Sequence, residues 1–231
     1  MIAPTLAKLI SILPDKLVIA LSKQIMGGYI KKYAHITVKG ETNLENIQTP
    51  TIFICNHLSN SDGLVLNKAL HKINPTFVAG VKLSNDPVTN LGIHVVKTTT
   101  IKPNSTDKEG INRIIKLIKQ GESLLIFPEG TRSRVGSLIE AKKGVLFIAK
   151  ITGAPIVPIG LSGTEKLMPI NISNNMSAET FHHANVCVNI GKQFTLPKRT
   201  KEQDKKEYEA FAITYLMKQI AALLPEEYKG V

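Results

Sequence analysis

"TIFICNHLSNSD", residues 51–62, passes from a run of strand character into a polar turn that carries one histidine and one aspartate. A strand ending near Cys55 delivers His57 to the carboxyl end of a sheet, where open α/β folds place their ligands. Asp62 follows five residues later. A loop turning into a helix would bring its carboxylate to one imidazole nitrogen, fix the tautomer and leave the other nitrogen to take a proton from a hydroxyl. The competing reading is a helix start capped by Asn60, Ser61 or Asp62. Ser59 and Ser61 offer no triad nucleophile, because no G-x-S-x-G elbow surrounds either one.

Further apolar runs of strand length are 76–79 (TFVA), 93–96 (IHVV), 123–127 (SLLIF), 155–161 (PIVPIGL) and 185–190 (NVCVNI). Helical patterns lie between them. Asp107 caps a stripe of Ile111, Ile114, Ile115 and Ile118 closed by Gly121; residues 140–152 form a second helix, and residues 201–224 a last one ended by Pro225. This alternation predicts an α/β fold, a single domain over residues 36–231 with a central mixed sheet flanked by helices.

Residues 1–35 precede it as an amphipathic helical segment. Lys8, Asp15, Lys16 and Lys23 interrupt its apolar residues well short of the roughly 20 that a membrane span needs. No basic region leads into an uninterrupted apolar core, so it does not read as a secretory signal. Leu6, Leu9, Ile10, Leu13 and Leu17 fall at helical spacing, and Pro14 and Gly27-Gly28 predict breaks. Two short basic helices in a membrane interface fit this pattern; so do two helices packed on the domain core.

"FPEGTRSR", residues 127–134, follows the SLLIF strand. Pro128 and Gly130 force a turn whose N–H groups, with Thr131, Arg132 and Arg134, suit a phosphate; an ordinary turn with solvated arginines is the alternative.

Over 231 residues, 29 Lys and Arg against 18 Asp and Glu leave a net charge of +11. Such a surface attracts phosphate, nucleic acid, an anionic bilayer or an acidic carrier protein. A nucleic-acid binder is disfavoured by 5% aromatics, the lack of Trp and the lack of an RNP, KH or helix-turn-helix signature. Cys55 and Cys187 sit in strand-like runs and form neither a disulfide framework nor a CxxC site. His182, His183 and Cys187 lack a second ligand pair, so no metal site is expected.

Taken together, Asn56, His57 and Asp62 as N-H-x-x-x-x-D and Phe127 to Arg132 as F-P-E-G-T-R resemble the glycerolipid acyltransferase family. "GAPIVPIGLSG" (153–163), "EAKKGVLFIAK" (140–150) and "IAALLPEEYKG" (220–230) extend the likeness, the last resembling bacterial lysophosphatidate acyltransferases. The resemblance implies that His57, held by Asp62, is the base for the sn-2 hydroxyl of lysophosphatidate. It implies that Glu129, Gly130, Thr131 and Arg132 bind the acceptor phosphate. Acyl-CoA or acyl carrier protein would be co-substrate, with no other cofactor and no metal. The implied setting is peripheral, on the anionic cytoplasmic face of the cell membrane, with a membrane lipid as substrate. Glycerol 3-phosphate or another lysolipid is the alternative acceptor. One block departs from the family pattern: "LGIHVVKTTT" lacks the usual Arg, with Lys97 the nearest cation, and Gly80 stands where many members have a Lys, with Lys82 two residues on. Lys82 and Lys97 are therefore the expected oxyanion or donor contacts.

Overall fold

The structure, a computed structural model, describes residues 3–81, 83, 86–102, 107–173 and 175–230. Among them a seven-stranded mixed sheet comprises β1 (Ala34–Lys39), β2 (Ile52–Cys55), β3 (Thr76–Gly80), β4 (Thr98–Ile101), β5 (Leu124–Ile126), β6 (Ile156–Ser162) and β7 (Ala184–Ile190). Its order is β1-β7-β6-β2-β5-β3-β4. From β6 to β4 the strands are parallel, and the β7–β1 pair runs the other way.

The central strands are apolar on both sides because helices cover both faces. On one face Phe53, Leu125 and Val157 meet α1 (Pro4–Ser11), α2 (Asp15–Tyr33), α3 (Asp62–Ala69) and α4 (Pro87–Val95). Ile52, Ile54, Leu124 and Ile156 on the other face meet α5 (Lys108–Lys119), α6 (Lys143–Thr152) and α8 (Lys205–Ala221). A short α7 (Thr164–Leu167) follows β6. Asp107 caps α5 as its sequence predicts, accepting from the Gly110 N–H at 3.0 Å, and Ile114, Ile115 and Ile118 are buried.

Three local expectations change. Residues 93–96 are not a strand: Asp86 accepts from the Val88 and Thr89 N–H groups, Pro87 sets the first turn, and the helix continues to Val95. The strand lies just after it, in the polar-looking TTTI of β4. The helix also does not break at Gly27-Gly28. Val18, Ser22, Met26 and Ile30 form one buried line along α2, which carries two outward glycines with nothing within 4 Å of where a Cβ would be. The edge strand β1, whose AHITVK alternates apolar and polar residues with no continuous apolar run to stand out in the sequence, pairs in parallel with β7.

The N-terminal stripe divides between inside and outside. Ile10 is buried with Ala7, whereas Leu6, Leu9, Leu13 and Leu17 face outward together with Ile12, which is 78% exposed. Among the described residues no helix is long and apolar enough to cross a membrane.

Candidate active site

His57 and Asp62 meet just beyond the carboxyl end of β2. Asp62 is fully buried at the start of α3. Its Oδ2 lies 2.7 Å from His57 Nδ1 and accepts the Leu58 and Ser59 N–H groups at 2.7 and 3.0 Å. The polar turn is therefore wound around one carboxylate oxygen, so that helix start and imidazole orientation are one structure. The imidazole stacks on Phe127 with ring centroids 4.1 Å apart. Asn56 fastens the turn from the other side, exchanging two hydrogen bonds of 2.8 Å with the backbone of Leu161. Ser59 and Ser61 are buried and bonded to each other, and Ser59 donates to the Met168 carbonyl. Burial pushes the Cys55 thiol up, and the nearby Asp62 and Glu129 carboxylates add to it, which leaves the thiol protonated and inert.

The FPEGTR turn leaves β5, the neighbour of β2, and touches the same loop. Its members do different things. Gly130 is exposed at φ 68° and lines the cavity beside His57, and Thr131 is exposed next to it. Glu129 is turned inward and fully buried, with Oε1 accepting the His57 N–H at 2.9 Å. It is thus not among the groups that face a ligand, a departure from its expected phosphate contact: its side chain is taken up by the His57 N–H, and an acceptor-bearing carboxyl offers nothing to an anion. Burial pushes the Glu129 carboxyl up to about 8, against the stabilising N–H groups of His57 and Ile139 and with Asp62 adding to the rise. Arg132 donates through Nη1 to the buried carboxylate of Glu179, a residue the motifs do not include.

A cavity of about 530 Å³ opens beside His57, walled mainly by apolar side chains such as Leu64, Phe77, Val88, Ile111, Ile114 and Ile148. Among the described residues Lys102 and Lys142 are its cationic walls. Lys97 is elsewhere: it precedes β4 and pairs with Glu122, which precedes β5. Because β2, β5, β3 and β4 are parallel, that pair sits at the amino ends of the strands while His57 sits beyond the carboxyl ends. The expected oxyanion or donor contact by Lys97 therefore does not form. Lys82 lies outside the described residues. Lys142 was legible as one of two adjacent lysines at the start of α6, but only the fold ties it to this turn, its N–H donating to the Pro128 carbonyl at 2.8 Å and its stem lying beside Gly130. Among the described residues no group of three or more His, Cys, Asp and Glu is placed to hold a metal ion.

Known proteins are similar to this chain. A chloroplastic 1-acyl-sn-glycerol-3-phosphate acyltransferase of Arabidopsis thaliana is 34% identical over 71% of this chain and 44% of its own length. A 1-acyl-sn-glycerol-3-phosphate acyltransferase of Borreliella burgdorferi is 28% identical over 67% of this chain and 62% of its own. The chain thus spans under half of the plant relative it matches. The crystal structure of the 1-acyl-sn-glycerophosphate acyltransferase PlsC of Thermotoga maritima superposes with a TM-score of 0.59 at 23% identity, covering 90% of this chain and 81% of that one, and so shares the fold. The model of the Acyltransferase family matches residues 35–162. That span runs from β1 to the end of β6 and takes in both loops that meet around His57, so the chain belongs to the Acyltransferase family.

Proposed function

We propose that the protein transfers an acyl chain from an acyl thioester to the sn-2 hydroxyl of lysophosphatidate, forming phosphatidate. The observation that carries this reading is the His57 imidazole, tied at Nδ1 to the buried Asp62 and forming part of the wall of a largely apolar cavity. With Nδ1–H donated to Asp62, Nε2 keeps its lone pair and serves as the base. It takes the hydroxyl proton as the oxygen attacks the thioester carbonyl; the tetrahedral adduct collapses, the C–S bond breaks, and the imidazolium returns the proton to the thiolate. The cavity suits an acyl chain. The acceptor phosphate lies against Gly130 and Thr131, with Lys142 and the remaining donors of Arg132 as its cations. Holding the phosphate there places the hydroxyl and supplies effective molarity.

The names of the relatives support the acceptor, and the +11 charge is compatible with either acyl-CoA or acyl carrier protein as donor. In this reading the thioester is the co-substrate and no further cofactor takes part. Exposed Leu6, Leu9, Ile12, Leu13 and Leu17, beside Lys8 and Lys16, favour a peripheral seat on an anionic membrane surface, at the cytoplasmic face where the donor is available. The test is acyl transfer by the purified full chain, using both donor types and a panel of lysophosphatidate, glycerol 3-phosphate and phosphate-free lysolipids. Ester formation on lysophosphatidate is expected. Absence of that product with both donors would overturn the reading.

A further inference from the structure

We infer that Glu129 is a positioning residue for His57: it holds the backbone of the base from the loop of the neighbouring strand and does not touch the acceptor. This rests on the reading of His57 as the base. β2 and β5 pair in parallel through Ile54 and Ile126, and beyond that point their ladder stops. The Glu129 side chain takes over, accepting the His57 N–H at 2.9 Å. Ser133 closes the other side, donating its N–H to the His57 carbonyl at 2.7 Å. Phe127 of the same turn sets the plane of the ring. Three residues of one turn thus fix the N–H, the C=O and the imidazole of a single residue, while Asp62 fixes the nitrogen.

The side chain's length and its charge have separate consequences. Glu129 reaches the His57 N–H from a turn one strand away, and an Asp, shorter by one methylene, draws the acceptor back by more than 1 Å. A misplacement of that size at a reacting group costs about a hundredfold in rate. The hydrogen bond does not need a charge, because a carboxyl held neutral still accepts through its carbonyl oxygen. Glutamine has the same reach and the same acceptor, so it is the conservative replacement.

The experiment measures kcat and KM of the full chain and of its Glu129→Gln, Glu129→Asp and Glu129→Ala variants, at pH 7, with an acyl-CoA and lysophosphatidate. Thermal unfolding is followed alongside. Glu129→Gln should keep kcat within about threefold, and Glu129→Asp and Glu129→Ala should lose about a hundredfold in kcat with KM for lysophosphatidate little changed. A wild-type chain that does not acylate lysophosphatidate refutes the proposed activity and not this role. With wild type active, a rise in KM with kcat preserved in Glu129→Ala would make Glu129 an acceptor contact and overturn the inference. So would loss of activity in Glu129→Gln equal to that in Glu129→Asp. If Glu129→Ala does not fold, the comparison of Gln with Asp decides. Failure of Glu129→Gln to fold also counts against the inference, since that variant keeps the hydrogen bond.

Discussion

Arg132 gives its Nη1 to both carboxylate oxygens of Glu179, at 2.7 and 2.9 Å, and Asn60 donates to one of those oxygens at 2.7 Å. Glu179 thereby ties the FPEGTR turn and the HxxxxD turn to the segment before β7, which brings Met176 and Phe181 to the cavity wall. The arginine is a structural tie as well as, in the proposed reading, a cation for the acceptor phosphate.

Arg132→Ala should therefore cost stability before it costs recognition. It leaves the Glu179 carboxylate buried without its cation, a loss of about 3–5 kcal/mol. Chemical denaturation checks this; an unchanged midpoint would mean that Glu179 finds another partner.

Lys142→Ala removes a cation from the cavity wall while its exposed position spares the fold. KM for lysophosphatidate should rise about tenfold to a hundredfold, the cost of a charge-assisted pair. Unchanged KM and kcat with lysophosphatidate would place the phosphate away from this lysine.

His57→Ala should lower turnover about a thousandfold or more with the fold intact. Asp62→Asn should lose a comparable factor, because a neutral amide leaves the imidazolium without its carboxylate, and stability should fall as well because the Leu58 and Ser59 N–H groups lose a charged acceptor. A tenth of wild-type turnover in folded His57→Ala would end the case for this base.

Glu129 also makes stability depend on pH. Its folded-state pKa of about 8 stands above the ordinary value of 4.5. The unfolded chain releases this proton first, so the stability it contributes, fully present below about pH 4.5, is lost as pH rises toward 8. The melting temperature of Glu129→Gln relative to wild type should climb between pH 5 and 8 and then level off. Parallel curves would show that the carboxyl ionises at its ordinary value.

Leu9→Ser combined with Ile12→Ser should release the protein from anionic vesicles. The two side chains are 60% and 78% exposed, so folding is little affected, while their burial in lipid is worth about 3–6 kcal/mol together. Moderate salt should weaken binding of the wild type only partly, since it screens the lysines and leaves the apolar contact. Equal sedimentation of both proteins with vesicles would assign membrane attachment to another surface.

Much of this was legible in the sequence because it is local. The TIFIC run, the Asp107 cap and the spacing of His57 and Asp62 each carry their outcome within a few residues. What was missed depends on distant packing. IHVV has β-branched residues, yet its N-terminal Asp86-Pro87 start and its packing against α2 make it helix. Glu129 reads as part of a polar turn, and only the approach of β5 to β2 shows it pointing inward. Glu179 lies outside both motifs, and nothing near it in sequence marks it as the partner of Arg132. The placement of Lys97 follows from strand direction, which a linear reading does not contain.

The same pairing of strands has a consequence for how the chain acquires its chemistry in time. His57 and Glu129 are 72 residues apart in sequence, and Asn56 and Leu161 are 105 apart. A chain emerging from the ribosome that has completed β2 and α3 already holds its histidine and aspartate in one local turn, but nothing yet anchors that turn to its neighbours. Their geometry waits on β5 and then β6, the long-range pairings that form slowly because they close large loops. Completion of the candidate site is therefore a late product of folding, and a nascent chain that has stopped short of β6 carries His57 and Asp62 without the contacts that anchor their turn.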